Sequence, residues 1–205
     1  ATDDVLIFAH DNMRVRMLER RSRFPRGNGG FYPQAPAAAR PFITYKDHIT
    51  FHFNGEAVNV FLAPPAHTDG DTFVHFPESD VLHLGDVFRT TSYPIIDVYN
   101  GGTLAGTIEA LDLAIGLAGP DTRIIPGHGV EIVGRTELIQ FRDMIVDVSK
   151  RVRELIAQGK TLDAVMAARP TAAYDAQWGK VPSWSADDFV PIVYHQLGGG
   201  SLYER

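Results

Sequence analysis

Ala63-Pro64-Pro65-Ala66-His67-Thr68-Asp69-Gly70-Asp71-Thr72-Phe73-Val74-His75-Phe76-Pro77-Glu78-Ser79-Asp80-Val81-Leu82-His83-Leu84-Gly85-Asp86-Val87-Phe88 is the stretch around which the chain is organised. It reads as a loop carrying a histidine, a short apolar strand, a Pro/Glu/Ser/Asp turn and a second strand ending in Gly-Asp. Pro64-Pro65 imposes an extended approach to His67, and Thr68-Asp69-Gly70-Asp71 permits a sharp exit. A third element, Pro126-Gly127-His128-Gly129, follows another short apolar run at Thr122–Ile125. Strands deliver side chains to fixed places, so His67, Asp86 and His128 can meet at one sheet edge. Two imidazoles and a carboxylate held there form a set suited to a metal ion.

Upstream, Ile49–Phe53 and Glu56–Leu62 flank Asn54-Gly55, the pair favoured in a type I′ hairpin turn. His48 and His52 fall on one face of the first strand, where they read as exposed strand residues before they read as ligands. His75 and His83 sit inside strands and read as sheet residues. Downstream of Asp86, Thr103–Leu117 places Leu104, Ile108, Leu111 and Ile115 on one helical face, with Gly119-Pro120 as a stop. A helix between the Asp86 strand and the His128 strand predicts a crossover packed outside a sheet. Tyr93, Asp97 and Asn100 lie on the loop leaving Asp86; substrate contact and turn formation are both open to them. Asp69 and Asp71 read as turn-capping groups.

The chain ends read differently. Val5–Ala9 predicts a buried strand, followed by a helix over Met13–Arg21 capped by Asp11 or Asn12. Ser22–Arg40 is Pro-, Gly- and Ala-rich with arginines at its start, and predicts a long surface connection; Phe31-Tyr32-Pro33 is its one aromatic cluster. Residues 135–205 are expected to be helical: Glu137–Ala157 is amphipathic, Thr161–Ala168 is shorter, and Ser185-Ala186-Asp187-Asp188 resembles a capping box before Phe189–Leu197. Tyr174, Trp178 and Trp184 lie between these helices, as a pocket wall or as anchors for the tail.

The 205 residues suit one domain with a sizeable core, and no internal repeat or convincing domain boundary interrupts them. Hydrophobic content of 44% and charge of 21% are those of a soluble globular protein. A net charge of −6 speaks against nucleic acid as a partner. The most apolar long stretch, Gly101–Ala118, contains Glu109 and Asp112 and makes a poor membrane span. No cysteine is present, which removes disulfides and thiolate ligands and leaves the compartment and oligomeric state unassigned.

The order His-Thr-x-Gly-Asp, strand, turn, strand-Gly-Asp, helix, strand-Pro-Gly-His-Gly resembles the second half of a metallo-β-lactamase-fold hydrolase. The resemblance covers most of residues 1–135. It implies an α/β fold, part of an αβ/βα sandwich, with a helical C-terminal tail. It implies that His67 binds one zinc ion, Asp86 bridges two, and His128 binds the other. Zinc would be the cofactor and a small molecule carrying an ester, thioester, lactone or related bond the substrate. The family's His-x-His-x-Asp-His run is missing here, so the expectation is of an N-terminally incomplete domain: a zinc-dependent hydrolase as a complete protein, with weak metal binding and little or no turnover from these 205 residues alone. In such a domain His10 would mark a strand-to-helix junction and not the missing ligand. A different class remains open: a catalytically inactive fragment, or a binding or scaffold module that keeps the fold without its chemistry. With no cysteine to supply a thiolate, β-lactam cleavage is the less favoured of the hydrolytic activities.

Overall fold

The Asn54-Gly55 turn joins the first two strands of the largest sheet. In the computed structural model, which describes residues 5–19, 21–22, 31–129 and 131–200 (the backbone alone at 21–22 and 31–32), Asn54 and Gly55 have φ of 52° and 87°. Both values are those a type I′ turn requires, and the flanking strands pair antiparallel in register, His48 opposite Phe61 and Phe53 opposite Glu56.

In chain order the strands are β1 (Phe8–His10), β2 (Arg21–Ser22), β3 (Phe31–Tyr32), β4 (Ile43–Tyr45), β5 (His48–Phe53), β6 (Glu56–Leu62), β7 (Thr72–Phe76), β8 (Val81–His83) and β9 (Arg123–Ile125). The helices are α1 (Asp11–Met17), α2 (Leu104–Leu117), α3 (Arg135–Ala157), α4 (Leu162–Ala167), α5 (Asp175–Trp178) and α6 (Ala186–Gln196). The main sheet has the order β5-β6-β7-β8-β9, antiparallel except for the parallel pair β8–β9. That parallel step is bridged by α2, the crossover that the sequence predicts.

Strand periodicity makes both faces of this sheet apolar. One face presents Phe61, Phe73, Leu82 and Ile124, and these join Leu111 and Ala114 of α2, Leu138, Phe141 and Ile145 of α3, and Phe189 and Val193 of α6 in a single core. The other presents Phe51, Val60 and Val74, and the small parallel pair β1–β4 packs over it through an edge-to-face contact of Phe8 with Phe51 at 4.7 Å. A shallow cavity of about 470 Å³ remains there, lined in part by His10, Met13, Tyr45 and Thr72. Among the described residues no helix is long and apolar enough to cross a membrane.

Several boundaries differ from the sequence reading. Val5 and Leu6 are exposed, and only Phe8–His10 pair as a strand. Helix α1 begins at Asp11 and ends at Met17, and its N-cap is His10, whose Nδ1 accepts from the Asn12 amide at 3.2 Å. An imidazole nitrogen replaced the expected carboxylate or amide because His10 alone has the extended backbone of a cap. The Ser22–Arg40 connection contains the short pair β2–β3 and a 3₁₀ turn at Ala37–Ala39. Residues 23–30 and the side chains of Phe31 and Tyr32 lie outside the described residues. The capping box at Ser185 is present, with the Ser185 amide donating to Asp188 at 2.9 Å. The aromatic connection also holds a short helix, α5, that no periodic pattern announces.

The C-terminal helices are fastened to the body by Tyr93, which is fully buried. Its ring stacks on Phe189 at 5.3 Å, and its hydroxyl donates to Asp175 at 2.7 Å. Burial and the neighbouring Asp175 carboxylate push the Tyr93 phenol well above its ordinary value. A folded value above the unfolded one means that this contribution is intact below about pH 10 and is lost as the pH climbs beyond it. Tyr93→Phe should therefore show a smaller loss of unfolding free energy than the wild type between about pH 9 and about pH 11 in urea titrations. Tyr45 and Tyr174 are shifted in the same direction and remain in the variant, so the slope shrinks without vanishing.

Candidate metal centre

His67 stands on the β6–β7 loop, and almost every backbone group around it is tied down. Asp71 accepts from the Thr68 amide at 3.0 Å and the Thr68 hydroxyl at 2.7 Å, closing the turn. Burial raises the Asp71 carboxyl above its usual range, partly offset by these bonds and by the nearby His67. Asp69 pairs with Arg16 of α1, Nε to Oδ1 at 2.9 Å. Both aspartates thus have structural roles, Asp71 as the expected turn cap and Asp69 as a brace to α1. The His67 carbonyl accepts from the Asp97 amide at 2.8 Å, and the Pro65 carbonyl from the Thr103 amide at 3.1 Å. Contact is so close that a Cβ added at Gly102 would meet the His67 carbonyl oxygen at 2.2 Å.

Asp86 projects from a 3₁₀ turn, Gly85–Val87, directly after β8, with Gly85 at φ 55°. His128 follows β9, and its carbonyl accepts from the Thr90 amide at 3.2 Å. Pairing of β8 with β9 sets these two loops side by side, and Gly127 lets them touch. A Cβ there would meet the Gly85 carbonyl oxygen at 2.1 Å and the Asp86 Oδ1 at 2.5 Å.

The three side chains converge. His67 Nε2 lies 3.5 Å from Asp86 Oδ2, and His128 Nε2 lies 3.2 Å from Asp86 Oδ1. Each imidazole faces a different oxygen of one carboxylate. The other nitrogen of His67, Nδ1, is 2.8 Å from the Ile95 carbonyl oxygen. A carbonyl can only accept, so Nδ1 carries a proton, and in the neutral form of the ring Nε2 turns its lone pair toward a carboxylate oxygen. Two lone pairs held face to face call for a cation or a proton between them. Two ligand atoms 2.0–2.1 Å from one tetrahedral zinc ion would be about 3.3 Å apart, and the observed separations fall on either side of that value. The donor set and the tautomer therefore fit a metal ion. Among the described residues, no group of three or more His, Cys, Asp and Glu side chains is placed to hold a metal ion as it stands. What the chain supplies is two imidazole–carboxylate pairs joined at Asp86.

The structure separates the remaining candidates. His48 and His52 are exposed on β5, and His75 and His83 lie in β7 and β8. His83 is spent on the Gly85 amide, which donates to its Nδ1 at 3.1 Å. Asp97 caps the 3₁₀ turn Val98–Asn100, accepting from the Tyr99 and Asn100 amides, each at 3.1 Å. Tyr93 is buried in the tail contact, so Tyr93 and Asp97 serve the fold.

Arg89 did not stand out in the sequence, where it directly follows the apolar pair Val87-Phe88 and opens a polar run. It is 8% exposed, donates from Nη1 to Ser92 Oγ at 3.0 Å, and its Nε has no hydrogen-bond partner. Burial holds its pKa below the usual guanidinium value, while the Asp86 carboxylate acts the other way. A buried positive charge beside the Asp86 turn thus belongs to the site's electrostatics.

No protein-family model matches the sequence, and no curated protein matches it. Solved structures do match. The chain superposes on the stereoselective inverting sec-alkylsulfatase Pisa1 from Pseudomonas sp. with a TM-score of 0.61 at 19% identity, over 86% of this chain and 29% of that one. A double mutant of that enzyme matches over 98% of this chain and 37% of that one, with a TM-score of 0.64 at 16% identity. The B3 metallo-β-lactamase BLEG-1 gives a TM-score of 0.56 at 17% identity, over 70% of this chain and 66% of that one. The chain has the metallo-β-lactamase fold.

Within the metallo-β-lactamase fold of this chain, the loop-to-loop contact at Gly127 is what holds Asp86 opposite His128. Gly127→Ala should cost about 1–3 kcal/mol in urea unfolding, as overpacking does, and lengthen the His128–Asp86 separation in a structure of the variant. Gly116, in α2 with nothing near its missing Cβ, supplies the contrast: Gly116→Ala should stabilise by about 0.5–1 kcal/mol and leave the site unmoved.

Proposed function

We propose that His67, Asp86 and His128 belong to the zinc centre of a hydrolase, and that Asp86 bridges two ions. The observation that carries this reading is the facing of two imidazole Nε2 atoms onto the two oxygens of one carboxylate. When bound, a zinc pair supplies an activated water and a Lewis acid for a polarised carbonyl or related group. The chain's own residues do the rest. His67 and His128 present neutral nitrogens, and Ile95 fixes the tautomer of His67, the kind of outer hydrogen bond that orients a ligand and raises its basicity. Asp86 offers one oxygen to each side. Arg89 adds positive charge that acts on Asp86.

A small molecule with an ester, thioester, lactone or related bond is the proposed substrate class. The fold is shared with an alkylsulfatase and a B3 metallo-β-lactamase, which supports bond hydrolysis as the reaction type. The chain spans 29% and 66% of those two proteins, so a complete activity is a proposal about the whole protein. A second reading, a binding or scaffold module without turnover, is favoured by one fact: each ion would have one imidazole and one carboxylate oxygen from these residues, against the three protein ligands usual for catalytic zinc.

Zinc content by elemental mass spectrometry, with turnover of chromogenic ester and thioester substrates, separates the two. In the whole protein, the hydrolase reading expects about two zinc ions per chain, loss of both in Asp86→Ala, and loss of one in His67→Ala and in His128→Ala. Turnover should fall below detection in all three variants. Zinc binding without turnover would favour the module. Wild-type zinc content and turnover in His67→Ala would overturn the site assignment itself.

A further inference from the structure

The carbonyl that sets the His67 tautomer belongs to a loop that the C-terminal segment grips. Residues 93–97 run between the Asp86 turn and α2. On the upstream side, the Tyr93 amide donates to the Trp178 carbonyl at 3.1 Å, and Ser92 forms an antiparallel bridge with Gly179. The Trp184 indole, 3% exposed, donates from Nε1 to the Pro94 carbonyl at 3.2 Å. The Tyr93 hydroxyl reaches Asp175, where hydrogen bonds from Tyr93, Thr171 and Arg169 outweigh burial and hold the carboxyl below its ordinary value. On the downstream side, the Asp97 amide donates to the carbonyl of His67 itself. The peptide between these two anchorages carries the Ile95 carbonyl to His67 Nδ1.

We propose that Trp184 and Tyr93 are positioning residues for His67, acting through the Ile95 carbonyl. The Pro94 and Ile95 carbonyls belong to consecutive peptides with only the two Ile95 dihedrals between them, and the fixed φ of Pro94 ties the Tyr93 anchor to the first of those peptides. Holding the first therefore restricts the second. The tolerance is small: the 2.8 Å contact passes out of hydrogen-bond range after a shift of under about 1 Å. Without that acceptor, nothing among the described contacts of His67 favours the Nδ1–H form over the Nε2–H form. The latter places its proton where the metal would bind.

The metal aspect rests on the hydrolase-centre reading; the tautomer aspect does not. Tyr174 provides an internal control, because its hydroxyl donates to Asp147 of α3 at 2.7 Å and anchors the same segment without reaching the 93–97 loop.

The test uses the full chain with ¹⁵N-labelled histidine, in wild type, Trp184→Phe, Tyr93→Phe and Tyr174→Phe. The readouts are the His67 tautomer by long-range ¹H–¹⁵N correlation and zinc affinity by competition with a chromophoric chelator. Wild type and Tyr174→Phe should hold His67 as a single Nδ1–H form. Trp184→Phe and Tyr93→Phe should show a mixture of tautomers and bind zinc about tenfold or more weakly, as loss of an outer-shell partner does. A shifted tautomer with unchanged zinc affinity would uphold the positioning role and overturn the ligand reading. A folded Trp184→Phe with a wild-type tautomer overturns the proposal, and so does a shift of the same size in Tyr174→Phe. If Trp184→Phe fails to fold, Tyr93→Phe, which keeps the stacked ring, decides by the same criteria.

Discussion

The parallel pairing of Val81–His83 with Arg123–Ile125 is the constraint on which the site depends. Parallel neighbours end at the same edge of a sheet, so the turns that follow them emerge together. Here those turns carry Asp86 and His128. A parallel pair requires a crossover, and α2 provides it while burying Leu111 and Ala114 against the sheet. The site therefore inherits its precision from hydrophobic burial some distance away. Gly127 then sets how near the two turns come, since no side chain fits between them.

His67 reaches the same point by a different route. Its strands, β6 and β7, are antiparallel neighbours, and the loop between them is anchored by backbone hydrogen bonds to residues 97–103. Those residues form the entry to α2, capped by Thr103 through its bond from the Gly106 amide at 2.9 Å. The helix that brings β9 beside β8 thus also braces the His67 loop. One element serves both halves of the site, which ties fold stability to the geometry of the three side chains.

Electrostatics at this edge are balanced by few groups. Asp86 has two imidazoles before it and the buried Arg89 charge near it, and that guanidinium lies outside ion-pair distance of any carboxylate among the described residues. Burying an arginine without such a partner is costly. The structure keeps it beside Asp86 and His128, where its positive field acts on the Asp86 carboxylate. The helical tail adds a mechanical term, gripping the loop that supplies the Ile95 carbonyl.

Residue types and their spacing, by themselves, determined the Asn54-Gly55 hairpin, the strand–helix–strand crossover and the Ser185 cap, and marked His67, Asp86 and His128 as candidates. Each depends on local rules: turn dihedrals, periodicity and the pairing of a short strand with the loop after it. The N-cap of α1, the short helix α5, the burial of Arg89 and Tyr93, and the acceptor of His67 Nδ1 were decided only by tertiary structure. The reason is physical. A carbonyl oxygen is the same in every residue, so nothing in the letter Ile95 says that it faces an imidazole. Which backbone group meets which side chain depends on how distant segments pack, and that packing leaves no periodic trace in the chain.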